Sequence, residues 1–335
     1  VPRAETVPLE LDVTRFRRDL EEALCRVVVP SDRIGVAVSG GADSMALLLL
    51  ADITFPGQIH AATVDHNLRP DAAAEAVMVA RFCAGRGINH CTLRPNSQVV
   101  GSSIQRRARE ARYSLLQAWT SDHRIGALMT AHHADDQAET FLMRASRGSG
   151  IAGLAGIRRR RPLTDTCDLV RPLLTWRRTE LRALTIATAI PFADDPSNSN
   201  ERYDRVRFRH LLASQPVLLP IAPLAAAAEH ASRAEDSLRD LAEMFWQERS
   251  SIEAGVTRFD CHRLPREICR RLVRRAIHKT RAASTVEAPE FTEASNVEAL
   301  LDALAAGRSA TQGGVMASSR GDIWCFRIAP PRRGH

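Results

Sequence analysis

AVSGGADSMALLLL, residues 37–50, joins two textures. The residues leading into it, Ile34-Gly35-Val36-Ala37-Val38, form a short apolar run of the kind that makes a buried strand, and from about Ser44 the pattern becomes that of an apolar helix. Between them lies Ser39-Gly40-Gly41-Ala42-Asp43-Ser44. A strand-to-helix turn gathers unpaired backbone N–H groups and the positive end of the helix dipole at one point, which suits an anion. Glycines let the backbone approach phosphate oxygens, and serine hydroxyls add donors. Asp43 is out of place in such a cradle. Its charge repels a polyphosphate unless a divalent cation lies between, so the aspartate argues for Mg²⁺. The plainer alternative is a common turn with Asp43 or Ser44 as N-cap. A pattern this specified is rare by chance at average residue usage, which favours the phosphate reading.

Outward from this loop, strands alternate with helices of ten or more residues. A helical pattern at 14–28 precedes the first strand; further strands are expected at 59–64, 88–93 and 127–130, and helices at 72–86, 103–119 and 133–145. That rhythm implies the α/β class, a doubly wound parallel sheet with right-handed crossovers and ligands beyond the carboxyl ends of its strands. Past Arg147 the texture changes: Gly148, Gly150, Gly153 and Gly156 space a loop, and Arg158 to Arg161 form a basic run. A helix at 176–189 leads to a Pro/Asp/Asn-rich turn at 191–200. After Pro216 and Pro220 the chain reads as alanine-rich and helical to about 250, with helices at 263–280 and 297–306 and a short β-like tail at 315–328. A domain boundary is therefore expected near 215, separating residues 1–215 from a smaller, mainly helical domain at 216–335.

With 335 residues the chain can bury a real core, and two domains are expected. No uninterrupted apolar stretch reaches membrane-spanning length, and Val1-Pro2-Arg3-Ala4-Glu5 lacks a signal-peptide pattern, so a soluble cytoplasmic protein with no membrane partner is expected. Seven cysteines with no Cys-x-x-Cys pair indicate neither a zinc site nor a disulfide framework. A formal charge of +7 and a pI near 9.5 suit a polyanionic partner such as RNA. Lys279 is the only lysine, so no Gly-Lys-Ser/Thr exists and Walker P-loop chemistry is excluded.

His132, Asp135, Asp136 and Glu139 stand at offsets that share one side of a helix. They are either a solvated acidic first turn that suits the dipole, or a set that needs cations: Mg²⁺ or an amine. Arg106, Arg109 and Arg112, beside Tyr113, are either a solvated basic face or charge aimed at a phosphate. Arg205 and Arg207, with Arg202, Arg209 and the run at 158–161, flank the same region and are read as contacts to RNA backbone. His133, Cys83 and Cys91 are read as structural.

These segments resemble the motifs of one family. Residues 39–44 are similar to the SGGxDS loop of the PP-loop ATP pyrophosphatases, which adenylate a carbonyl oxygen and release pyrophosphate. Within that class, Val64-Asp65-His66-Asn67-Leu68-Arg69 looks like the DHxLR signature of the tRNA(Ile)-lysidine synthetases. Residues 131–140, running into 147–154, resemble that family's HHxxDDxxET…RGSGxxGL almost position for position. Asp194 to Asn198, Tyr203 and residues 205–209 resemble DPSNxxxxYxRNxxR, with Val206 where asparagine is usual. The likeness covers about residues 30–212 and thins beyond to a weak match in the tail from Ala310.

The resemblance implies ATP and Mg²⁺ as cofactors. Ser39, Gly40, Gly41, Ala42, Asp43 and Ser44 would hold the nucleotide's phosphates, Asp43 the metal, and Asp65 and His66 the nucleotide pocket. Arg112, with Arg109, would stabilise charge at the α-phosphate, and His132, Asp136 and Glu139 would bind free L-lysine and act in catalysis. The implied reaction joins lysine to C2 of the wobble cytidine of the isoleucine tRNA with a CAU anticodon, through an adenylated cytidine. The products are lysidine, AMP and pyrophosphate. The region after 215 would bind the tRNA, and a homodimer is left open. Two alternatives stand beside this reading: a tRNA thiolase of the same fold, which would need sulfur-carrying cysteines, and a non-catalytic RNA-binding protein.

Overall fold

In the computed structural model, which describes residues 6–65, 70–95, 104–194, 204–284, 289–292 and 295–330, the chain packs as two units, Val1–Ser232 and Arg233–His335. The first unit begins with α1 (Thr6–Leu24), β1 (Ile34–Ala37), α2 (Ala42–Thr54), β2 (Ile59–Val64), α3 (Pro70–Arg86) and β3 (Asn89–Leu93). It continues through α4 (Ile104–Asp122), β4 (Ala127–Met129), α5 (Ala134–Ala145) and the single turn α6 (Ile151–Leu154). A hairpin, β5 (Arg160–Pro162) and β6 (Asp168–Val170), precedes α7 (Arg178–Ala187), α8 (Asp204–Ser214) and α9 (Ile221–Arg249).

The strands lie in the order β3-β2-β1-β4-β6-β5, all parallel except β5, which pairs antiparallel with β6 at one edge. From β1 the chain winds outward to β3, then returns to place β4 on the other side of β1. Strand order therefore reverses between β1 and β4, and a crevice opens there beyond the carboxyl ends of the strands. The loops that leave these two strands carry Ser39 to Ser44 and Thr130 to Asp136.

Each face of the sheet has its own core. On one, Ile34 and Val36 of β1 meet Leu47, Phe16, Leu20, Trp176 and Leu181. Helix α2 is buried almost all round, from Ser44 to Ala51, because α1 and α7 both pack on it; an apolar helix without a polar stripe has to be covered in this way. On the other face, Leu116 and Trp119 of α4 join Ala62, Leu128 and Leu169. Gly35 points to this second face. A Cβ there would stand 3.0 Å from Trp119 and 3.1 Å from Ile125 and Leu128, so the close approach of α4 to β1 requires a glycine.

The second unit contains β7 (Ser250–Glu253), β8 (Val256–Asp260), α10 (Arg266–Ala283), α11 (Glu298–Ala305), β9 (Ala310–Gln312), β10 (Val315–Arg320) and β11 (Ile323–Ile328). Its antiparallel sheet, β7-β8-β11-β10-β9, buries Phe259, Val315, Ala317, Trp324 and Phe326 with Leu272, Val273, Ala276 and Ile277 of α10. The unit is thus a five-stranded sheet covered by helices, and its strands at 250–260 precede the β tail that the sequence suggests. The hairpin β7–β8 turns at Ala254 and Gly255, both at positive φ, and Ala-Gly is a weaker turn signal than Asn-Gly. The division between the units falls inside α9 and not at the prolines near 215. Pro220 and Pro223 bracket the first turn of that helix, where an N–H has no partner to lose. Among the described residues no helix is long and apolar enough to cross a membrane.

Overfilling the contact between α4 and β1 is the direct test of this packing. Gly35→Val should lower the unfolding free energy by about 1–3 kcal/mol, read as a fall in urea midpoint.

Candidate active site

A cleft of about 670 Å³ occupies the crevice at the switch point. Ser39, Asp43 and Ser44 line it from the first loop, Thr63 and Val64 from the end of β2, and His132, His133 and Asp136 from the loop after β4. Gly40 takes a φ of +87°, which only glycine adopts without strain, and its carbonyl accepts from the Ala193 N–H at 2.9 Å. The Ser44 hydroxyl wires the loop internally: it accepts from the Ser39 N–H at 3.2 Å and donates to the Gly41 carbonyl at 2.9 Å. Gly41 is the N-cap of α2 and supplies no side-chain cap, so first-turn N–H groups stay open to an anion.

Helix α5 begins at Ala134, two residues later than a helix carrying His132 requires, and this redistributes the expected cluster. His132 lies before the helix, with Nδ1 3.0 Å from the Thr130 hydroxyl. His133, read as merely structural, is the N-cap. Its Nδ1 accepts from the Asp136 N–H at 3.4 Å while its own N–H donates to Asp136 Oδ2 at 3.1 Å, a reciprocal capping box. That pairing leaves the ring proton on Nε2, which faces Asp43 Oδ2 at 3.4 Å. One buried imidazole therefore ties the phosphate loop to α5. Burial opposes a charge on it, but the carboxylates of Asp136, Asp43 and Asp135 prevail and hold the ring above its ordinary value of 6.5. The other oxygen of Asp43, Oδ1, is buried without a hydrogen-bond partner among the described residues.

Asp135 turns away from the cluster, accepting from Arg177 Nε at 3.2 Å and the Arg178 N–H at 2.9 Å, and so anchors the start of α7. Asp136 and Glu139 point instead at α8. Arg205 donates to Asp136 Oδ1 at 2.6 Å and Glu139 Oε2 at 2.7 Å, and Arg209 donates to Glu139 Oε1 at 2.7 Å. Glu139 is 2% exposed, and both its oxygens are engaged. Burial pushes the Asp136 carboxyl up, but His133, Arg205 and His132 outweigh it, so it stays ionised below the usual range. Burial also dominates at His132. It lowers the ring to about 3, opposed by Asp136 and assisted by the cations Arg171, Arg205 and Arg109.

Helix α4 contributes Arg109, Arg112 and Tyr113 to the opposite wall. Arg205, expected at RNA backbone, sits with the carboxylates, whereas Arg207 is exposed, 3.9 Å from Asp204. Asp65 is buried at the end of β2 and pairs with Arg94 at 3.2 Å; it is not among the cleft-lining residues. His66, Arg202, Tyr203 and residues 195–198 lie outside the described residues.

Residues 12–215 match the family model of the PP-loop domain, which places the chain in that ATP-binding class. Its sequence is 41% identical over 322 residues to the tRNA(Ile)-lysidine synthase of Novosphingobium aromaticivorans, covering 96% of this chain and 94% of that protein. It is 39% identical over 307 residues to the tRNA(Ile)-lysidine synthase of Zymomonas mobilis, with 90% of each covered. The chain belongs to the tRNA(Ile)-lysidine synthase family and is an enzyme of that family. A solved U34-tRNA thiolase from Methanococcus maripaludis shares the fold, with a TM-score of 0.55 and 15% identity over 69% of this chain and 80% of that one.

The depressed ring of His132 has a stability consequence. Unfolded, it takes a proton near its ordinary 6.5; folded, it waits until about 3. The unfolded state therefore binds more protons between these values, so this contribution is complete above 6.5 and is lost as pH falls toward 3. His132→Gln should flatten that loss, seen by comparing denaturant midpoints of parent and variant at about pH 7.5 and about pH 5.

Proposed function

We propose that this enzyme joins the ε-amine of free lysine to C2 of the wobble cytidine in the CAU anticodon of isoleucine tRNA. ATP is converted to AMP and pyrophosphate. The observation that carries the reading is the meeting of a phosphate loop with an ionised carboxylate and a neutral imidazole across one switch point, in a chain of this family.

In the first step O2 of the cytidine attacks the α-phosphorus, and the bond to the bridging oxygen breaks. The open N–H groups at the start of α2 receive the departing pyrophosphate, and Arg112 and Arg109 face the charge that develops on the α-phosphate. Adenylation turns a poor leaving oxygen into a good one. In the second step the amine attacks C2, the C2–O bond breaks and AMP leaves. Lysine arrives as an ammonium, which the ionised Asp136 attracts beside Glu139, and it must lose a proton before it attacks. His132 supplies an imidazole lone pair. Its low affinity for a proton comes in part from Arg171, Arg205 and Arg109, and phosphate anions in the cleft offset those charges, raising it toward a useful base.

The donor set fits a divalent cation. Asp43 Oδ1 is a buried carboxylate oxygen in the phosphate loop, without a partner among the described residues. Mg²⁺ is commonly held by one or two carboxylates with phosphate and water as its other ligands, and Asp43 would supply one such carboxylate. Bound there, Mg²⁺ would neutralise phosphate oxygens and shield Asp43 from them.

Arg207, exposed on α8, is assigned to RNA backbone. Arg205 instead fixes the spacing of Asp136 and Glu139. Sulfur transfer finds less support, since no cysteine lines the cleft among the described residues.

Incubated with ATP, labelled lysine and the CAU-anticodon isoleucine tRNA, the protein should put label into RNA in an ATP-dependent way. Asp43→Ala should lower that rate by about 100-fold or more. Label that fails to appear, or a folded Asp43→Ala variant at the parental rate, would remove the reading.

A further inference from the structure

Four arginines gather around Tyr113: Arg109 and Arg112 on α4, which line the cleft, with Arg161 on β5 and Arg171 just beyond β6. Among the described residues none of them pairs with a carboxylate. Arg109 Nη2 reaches the Tyr113 hydroxyl at 3.4 Å, Arg161 Nη1 the Pro162 carbonyl at 3.3 Å, and Arg171 Nη1 the Arg158 carbonyl at 2.5 Å. The contrast with α8 is plain, since Arg205 and Arg209 there are matched to Asp136 and Glu139. Arg171 is 4% exposed, and its Nε has no hydrogen-bond partner among the described residues. Like charges gathered this closely, with one of them desolvated, repel one another.

Tyr113 is what they share. The guanidinium carbons of Arg109 and Arg161 lie over its ring, 5.1 and 4.9 Å from the centroid, within cation–π range. The body of the ring packs on the Leu116, Trp119 and Leu128 cluster beneath, which fixes its place. Burial raises its phenol, but Arg109, Arg171 and Arg161 outweigh that and hold it below the ordinary 10. The field of the same arginines reaches the reacting side of the cleft, since Arg171 and Arg109 help to keep His132 neutral.

We infer that Tyr113 is a positioning residue of the ligation reaction: its ring holds Arg109 of the cleft wall together with Arg161, their charge intact, so that their combined field acts on the phosphoryl group as negative charge develops. The inference rests on the proposed function. A carboxylate here would also gather the arginines but would cancel what they offer. A ring face gathers them without neutralising them. The groups facing the hydroxyl are Arg109, Arg112, Arg161 and Arg171, all cationic. Ionisation of the phenol would therefore neutralise part of the cluster, and the rate should fall on the alkaline side.

The test uses the full chain with saturating isoleucine tRNA and lysine, following pyrophosphate release against ATP and pH for the parent, Tyr113→Phe and Tyr113→Leu, with melting curves alongside. Tyr113→Leu should lower kcat about tenfold or more while KM for ATP stays within about twofold. Tyr113→Phe, which keeps the ring, should recover most of that loss and lack the parent's alkaline limb. Parental kcat in Tyr113→Leu, a loss confined to KM, or an unchanged alkaline limb in Tyr113→Phe would each overturn the inference. If Tyr113→Leu does not fold, the pH profile of Tyr113→Phe decides alone. A parent that consumes no ATP in a lysine-dependent way would sink the proposed function and this inference with it, an outcome distinct from an active parent matched by its variants.

Discussion

The contact on which the cleft depends is the one between the His133 imidazole and Asp43. Loops leaving neighbouring parallel strands are brought close by the sheet, but closeness does not fix how they face each other. His133 does so with both ring nitrogens, one closing the N-terminus of α5 and the other facing the aspartate of the phosphate loop. The ring is 3% exposed, so its own end of both links is shielded from bulk water. Backbone pairing from the far side completes the clamp, because Gly40 is held to Ala193. A loop fixed at two points presents its N–H groups without having to be ordered by the ligand, which is the sense in which electrostatic stabilisation is preorganised.

Burying Glu139 with both oxygens engaged is costly in isolation, and the structure offsets the cost with arginine in particular. A guanidinium presents several donors in a fixed fork, so Arg205 spans Asp136 and Glu139 while Arg209 takes the remaining oxygen. A lysine in either place would bring a point charge and could not bridge with the same geometry. Such pairs are weak evidence of stabilisation, because desolvation consumes much of the Coulomb gain; what they secure is the placement of two carboxylates.

The first half of the fold was legible because local signals agreed there. An apolar strand, a glycine-rich turn and an apolar helix each called for the next, and the rhythm that followed specified a parallel sheet. Where such signals were short or mixed, reading failed. Arg160–Pro162 and Asp168–Val170 are three-residue strands, too short to show a period, and only pairing onto an existing sheet makes strands of them. The hairpin at 250–260 turns on Ala-Gly, and its exposed face breaks the alternation. In the cleft, residue types were legible and partners were not. The offsets of His132, Asp135, Asp136 and Glu139 place them together only if the helix starts early, and the His-x-x-Asp capping pattern that starts it at Ala134 was available at His133. Arg205 lies 66 residues from Glu139 along the chain. No spacing rule reaches that far, so a basic run was read as contacting RNA backbone when two of its members bond the carboxylates of α5.

What that misreading concealed is the asymmetry of the cleft. Arg205 and Arg209 on the α8 side are neutralised by carboxylates, whereas among the described residues Arg109, Arg112, Arg161 and Arg171 on the α4 side pair with none. The first arrangement leaves an ionised Asp136 suited to an ammonium; the second leaves positive potential suited to phosphate. His132 lies within reach of both fields, which adjust a proton affinity that burial lowers first. An anion entering the α4 side reduces the positive potential there, which strengthens His132 as a base and leaves Asp136 to act on the amine. In the proposed reaction, binding of the nucleotide therefore readies the groups that receive lysine, an order of events set by charge placement alone. No moving part is needed for the coupling, because groups a few ångströms apart in a partly desolvated cleft sense one another directly.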